Sequence, residues 1–269
     1  MKRCFFCVLI IFLIPTFGYG DGKKTANSAK ALAQEAFHQA ASHAFNRQSR
    51  EAATEKLQTA WQINPGEPWI YLTESMMTLQ EGYRIGTWYK AKTFMPGTAD
   101  RAIEIANKAV SLDPNFSKGY SQLAWLYIIK EDYEKAGELL EIAYKQDKKS
   151  FQVWLYKGTL ALVTGDTETA GRMFEEALRY ATHSYEKDII RGRKQDVAQI
   201  IGNTDEEERI LLEQIETNPD SAYSYGNYAN FLMRNGRYNE AVNYYEKTIS
   251  IKPYRHALRR LEEARRMAQ

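Results

Sequence analysis

Four histidines, His38, His43, His183 and His256, are the residues of this 269-residue chain best suited to metal binding or proton transfer, and their spacing argues against both. No two of them stand four apart, the interval that sets two imidazoles on one helical face around a metal. Carboxylates are plentiful, as in NTDEEERILLEQIE at residues 203–216. A run of Glu along a helix is ordinarily a solvated face, and no pair here has the apolar surround that would tune one partner for acid–base work. No glycine-rich phosphate loop follows a strand. The chain is therefore expected to be non-enzymatic, with no catalytic residue, cofactor or metal, and each histidine is expected at the surface or between helices.

Charge and cysteine usage narrow the class further. Thirty-six basic residues face thirty-four acidic ones, and mean hydropathy is -0.55, so nothing biases the whole chain toward nucleic acid. Arg255, Arg259, Arg260, Arg265 and Arg266 cluster near the C-terminus, but Glu262 and Glu263 interrupt them, and Leu258, Leu261 and Ala264 recur at helical spacing. A helix with one wet basic face accounts for that pattern. Asn115-Phe116-Ser117 matches a glycosylation acceptor, which has meaning only in a eukaryote.

The N-terminus reads as a separate object. MKRCFFCVLIIFLIPTFGYG places Lys2 and Arg3 before an apolar run from Cys4 to Phe17, then small residues at Gly18 and Gly20, which is the pattern of a secretory signal peptide over residues 1–20. The run is several residues short of the roughly 20 that cross a bilayer as an anchor. Cys4 and Cys7 stand at its start, not just after it, which disfavours lipid modification. The mature chain would then contain no cysteine, carry balanced charge, have no stable membrane insertion, and be held together by burial alone. The expected compartment is outside the cytoplasm: periplasmic, with secretion as the other possibility.

The elements that position everything else come from repetition. Helical stretches end at Pro65, Pro114, Lys148, Thr182, Pro219 and Pro253, at intervals of 49, 34, 34, 37 and 34 residues. The chemistry recurs with the length. Tyr120, Leu123, Ala124 and Tyr127 precede Ala136, Leu140 and Ala143. Trp154, Gly158 and Ala161 precede Ala170, Phe174 and Ala177, and Tyr225, Tyr228, Ala229 and Leu232 precede Ala241, Tyr245 and Thr248. Small residues let two antiparallel helices approach, and large ones fill the grooves between successive pairs. Units near residues 34–65, 66–114 (with an insertion at 81–97), 117–150, 151–184, 188–221 and 222–253 follow, closed by a polar capping helix over 254–269. The 188–221 unit departs from the pattern, with Lys194 and Gln195 in place of the Leu and small residue and Glu207 in place of Ala.

These residues resemble the tetratricopeptide repeat family, whose signature sets a large residue, Leu, a small residue, Tyr, Ala, Phe and Pro at fixed offsets in a 34-residue unit. The resemblance implies an all-α, right-handed superhelix of about six stacked antiparallel helix pairs, with first helices lining a concave surface that takes a protein or extended peptide. On that implication the groove residues are Lys118, Ser121, Trp125, Ile128, Ile129, Gln152, Leu155, Thr159, Leu162, Val163, Tyr223, Asn230, Met233 and Arg234, with an apolar wall at mid-groove. The alternative for Trp125 and Leu162 is packing against the next unit. The family's set of Lys and Asn that clamps a C-terminal carboxylate is lacking.

The insertion EGYRIGTWYKAKTFMPG carries Tyr83, Trp88, Tyr89 and Phe94 with no repeat duty. Aromatic residues dominate binding hot spots, so they are candidate contacts. Alternatively the segment covers an edge of the superhelix or extends its two helices. The function expected is an exported adaptor or scaffold that binds protein in its groove. The alternative is a carbohydrate-binding or polysaccharide-export accessory protein, because the insertion's aromatics could stack on sugar rings.

Overall fold

The computed structural model describes residues 22–42, 47–84 and 93–269; the leader at 1–20 and Trp88 and Tyr89 of the insertion lie outside the described residues. Thirteen helices follow one another along these residues: α1 (Gly22–Ser42), α2 (Arg47–Ile63), α3 (Pro68–Gly82), α4 (Thr98–Leu112), α5 (Ser117–Ile129), α6 (Tyr133–Gln146), α7 (Phe151–Val163), α8 (Thr167–Tyr180), α9 (Ser184–Ile200), α10 (Thr204–Thr217), α11 (Ala222–Arg234), α12 (Tyr238–Ile251) and α13 (Arg255–Met267). They pack as six consecutive pairs, each pair against the next, with α13 against α12. The protein is an all-α helical-repeat superhelix.

The turn inside each of the last four pairs is written by a left-handed residue. Glu131, Gly165, Gly202 and Gly236 have φ of 63°, 91°, 71° and 74° at the ends of α5, α7, α9 and α11. In each turn the following amide reaches back to close the helix, Asp132 N to Tyr127 O at 3.0 Å and Asp166 N to Ala161 O at 2.9 Å among them, which is the Schellman arrangement. Asp132, Asp166 and Asn203 then accept from the amides of Lys135, Thr169 and Glu206 and start the second helices.

Close approach inside the pairs follows from the small residues. A Cβ on Gly158 would lie 2.6 Å from Cε1 of Phe174, a ring with no solvent exposure. Ala124, Ala136, Ala170, Ala229 and Ala241 are fully buried. Complete burial of a ring such as Phe174 contributes about 1.5–3 kcal/mol. Between units the buried contacts turn polar at a few points: Gln80 Nε2 donates to Ala40 O at 3.2 Å, and Gln122 Nε2 to Ser75 Oγ at 3.4 Å.

The fifth pair is joined differently, where Lys194, Gln195 and Glu207 break the pattern. Gln195 donates to Glu207 Oε1 at 3.5 Å and accepts from Gln214 at 3.4 Å, while Arg234 of α11 pairs with the buried Glu207 at 2.6 Å. Polar side chains there occupy the crossing that small residues make elsewhere. The cap α13 buries Ala257, Leu261 and Ala264, whereas Leu258 is 46% exposed; the inward stripe lies one position from the Leu258 register expected from sequence. Arg260 bonds Glu263 and Tyr245, Arg265 bonds Glu246, and Arg255, Arg259 and Arg266 are exposed.

Candidate functional site

The insertion resolves first, at its base. Tyr83 and Phe94 form an isolated antiparallel bridge, with Arg84 N donating to Thr93 O at 2.8 Å and Met95 N to Gly82 O at 2.7 Å. Their rings meet edge to face at 5.8 Å, and Phe94, 5% exposed, belongs to the core shared by the second and third pairs. Both residues brace the α3–α4 connection, Phe94 buried and Tyr83 half-buried. Gly82 is required there, because a Cβ would fall 2.3 Å from Thr98.

The expected apolar groove wall is not exposed. Ser121, Trp125, Ile128, Ile129, Leu155, Thr159, Leu162 and Met233 are all buried. The reason is contact between successive first helices: the Trp125 ring of α5 lies flat on Tyr156 of α7, with centroids 5.3 Å apart and planes at 12°. Val163 packs half-buried on the third pair's core. Asn230 accepts from the Tyr245 hydroxyl at 2.7 Å, and Arg234 holds Glu207, so both tie helices together. Tyr223 is 66% exposed and stacks on Tyr254 at 5.9 Å. Of the fourteen residues, Lys118 lines an open cleft, and it is held there by Gln152.

That cleft measures about 470 Å³ and sits where α3 and α5 begin, against α1. Trp69 and Phe116 make its aromatic floor, edge to face at 5.5 Å. Lys118 stands over the Trp69 ring at 5.7 Å and donates to Gln152 Oε1 at 2.9 Å. Burial holds its ammonium below the ordinary lysine range, with the carboxylates of Asp147 and Glu186 acting in the opposite direction. Three acids at the rim are already engaged with main-chain amides: Glu67 with Trp69 N, Asp113 with Asn115 N and Asp147 with Lys149 N. Amide side chains of Gln34, Asn115 and Gln146 complete the lining. Gln146 donates to Pro114 O at 2.8 Å, and its buried Oε1 has no hydrogen-bond partner among the described residues.

Across the same face, α1 meets the start of α9. His38 and His183 stack with centroids 4.2 Å apart and planes at 25°, and His38 Nδ1 lies 3.0 Å from the Tyr185 hydroxyl. Sequence reasoning missed Lys30, Gln34, Trp69 and Phe116 as cleft residues. A signal existed for Trp69, which is the second residue of α3 as Lys118 is of α5 and Gln152 of α7. Lys30, Gln34 and His38 follow at intervals of four, a single stripe on α1.

Two segments of the chain, residues 105–138 and 211–243, match the tetratricopeptide repeat family model. Among solved structures the chain is similar to a thermophilic repeat protein of this type from Thermus thermophilus, at 18% identity over 77% of this chain and 99% of that one, with a TM-score of 0.57. It is similar to pilF of Pseudomonas aeruginosa at 13% identity over 90% and 98%, TM-score 0.55. It is also similar to yeast Tom70 at 16% identity over 93% of this chain and 55% of that one, TM-score 0.55. At these identities the likeness is one of fold.

Proposed function

We propose that this tetratricopeptide-repeat protein is an exported, non-enzymatic scaffold that receives a peptide segment of a partner protein in the cleft formed by α1, α3 and α5. The repeat family and its fold support a role in protein interaction, and the cleft is the observation that carries the reading. It joins an aromatic floor, Trp69 and Phe116, to a half-buried ammonium and to amides able to meet a peptide main chain. Pockets with an apolar floor and a few convergent polar groups are the usual form of a ligand site. Export rests on the leader pattern of residues 1–20.

Affinity purification from the cell envelope followed by a peptide array of the captured partners tests this. Lys30→Glu and Gln34→Ala change the cleft without touching a buried core residue. Each should weaken binding of the best peptide about tenfold, roughly 1.4 kcal/mol, with far-ultraviolet dichroism intact. Unchanged peptide affinity in both variants would remove the cleft from consideration. Capture lost to soluble glycan but not to peptide would favour the carbohydrate-binding alternative.

A further inference from the structure

The first and fifth helix pairs are remote in sequence, yet they touch across the concave face through two histidine rings. We infer that the His38–His183 stack is a clasp that closes this face, and that it opens when both imidazoles carry a proton. The inference rests on the cleft as the binding site, because α1 supplies both the clasp, through His38, and a wall of the cleft, through Lys30 and Gln34.

The surroundings of the two rings differ in the charge they present. On the α9 side, the Glu186 carboxylate lies 3.5 Å from His183 Nδ1, while its Oε2 also accepts from Thr182 N at 2.7 Å and His183 N at 3.0 Å. The His183 ring therefore faces a fixed, buried carboxylate. His38 has no carboxylate within ion-pair distance among the described residues. Its neighbours are the Tyr185 hydroxyl, the edge of Phe37 and the ring of His183; from α5, Lys118 adds a positive charge, and Asp147 of the α6–α7 turn faces Lys118. A second proton would set two cations face to face with a lysine beside them.

The direction of the pH effect follows. Burial first, then His183 and Lys118, hold the His38 imidazole below its ordinary value of 6.5, with Glu186 opposing. A base whose value is lowered by a contact stabilises that contact fully above its ordinary value. The stabilisation is lost as pH falls from 6.5 toward the lowered value. Acidification thus releases α1 from α9 and widens the cleft, whereas neutral pH holds it closed.

The test needs no ligand. In the full chain with Cys4 and Cys7 replaced by Ser, spin labels at the exposed positions Ala31 and Lys187 report the α1–α9 distance by pulsed dipolar spectroscopy. At about pH 7.5 the distribution should be short and narrow. At about pH 5 a longer component should appear, with a midpoint below the ordinary histidine value. His38→Phe and His183→Phe each keep an aromatic ring but cannot take up the second proton, so both should stay short at either pH. An unchanged wild-type distance at pH 5 overturns the inference, as does equal lengthening in both Phe variants. Loss of far-ultraviolet dichroism at pH 5 in wild type and variants alike, which would be general acid unfolding, overturns it too. A distance that never responds would leave the peptide reading untouched, and peptide affinity unaltered by cleft variants would leave the clasp untouched.

Discussion

Replacing Trp125 by Ala distinguishes a wall that faces solvent from one that faces the next unit. The side chain is 9% exposed and its ring lies on Tyr156 at 5.3 Å, so truncation removes a large buried surface and one face of a stack. Truncating a buried Trp costs about 3–5 kcal/mol, part of it the aromatic pair at about 0.5–1.5 kcal/mol. With a urea slope of about 2 kcal/mol/M, the midpoint of unfolding should fall by on the order of 2 M. Tyr223→Ala, at a position 66% exposed, should move stability by no more than about 0.5 kcal/mol. A double-mutant cycle between Trp125→Ala and Tyr156→Ala should return a coupling of about 0.5–1.5 kcal/mol. Circular dichroism across a urea series reads wild type, the three single variants and the double variant. A wild-type midpoint for Trp125→Ala would mean that the ring is free at the surface and does not pack between units.

Gly158→Ala should lower the melting temperature through a loss of about 1–3 kcal/mol, because its Cβ meets the buried Phe174 ring at 2.6 Å. Gly171→Ala in α8, with nothing within 4 Å, should instead stabilise the protein by about 0.5–1 kcal/mol, and a melting scan that ranks the two alike would refute the close crossing. Glu131 has a φ of 63° where the three equivalent turns carry glycine, so Glu131→Gly should raise stability by about 1 kcal/mol in denaturant titration. The leader reading predicts a soluble mature form beginning near Asp21. Full-length chain retained in carbonate-washed membranes would contradict it.

The helical-repeat fold was legible because it is written locally and repeatedly. The 34-residue interval and the alanines at fixed offsets each specify the same crossing within one unit, and the structure closes the turns between them with left-handed glycines at 165, 202 and 236 and caps at 132, 166 and 203. Lys194, Gln195 and Glu207 marked the 188–221 unit as departing from the pattern, but whether it pairs as a regular repeat was left open by sequence. What sequence could not decide was which face of a first helix remains open. Trp125 and Leu162 occupy positions compatible with either a groove wall or an interface, and the stack of Trp125 on Tyr156 of the following unit selects the interface. The aromatic insertion was equally undecided until the Tyr83–Phe94 bridge turned its base into a brace. The cleft and the histidine clasp were further from view, because both depend on how far the superhelix curves. That curvature is the sum of small rotations between units, set by side-chain volumes at every interface. No local pattern encodes the sum, so only the assembled tertiary structure brings His38 of the first pair onto His183 at the start of α9.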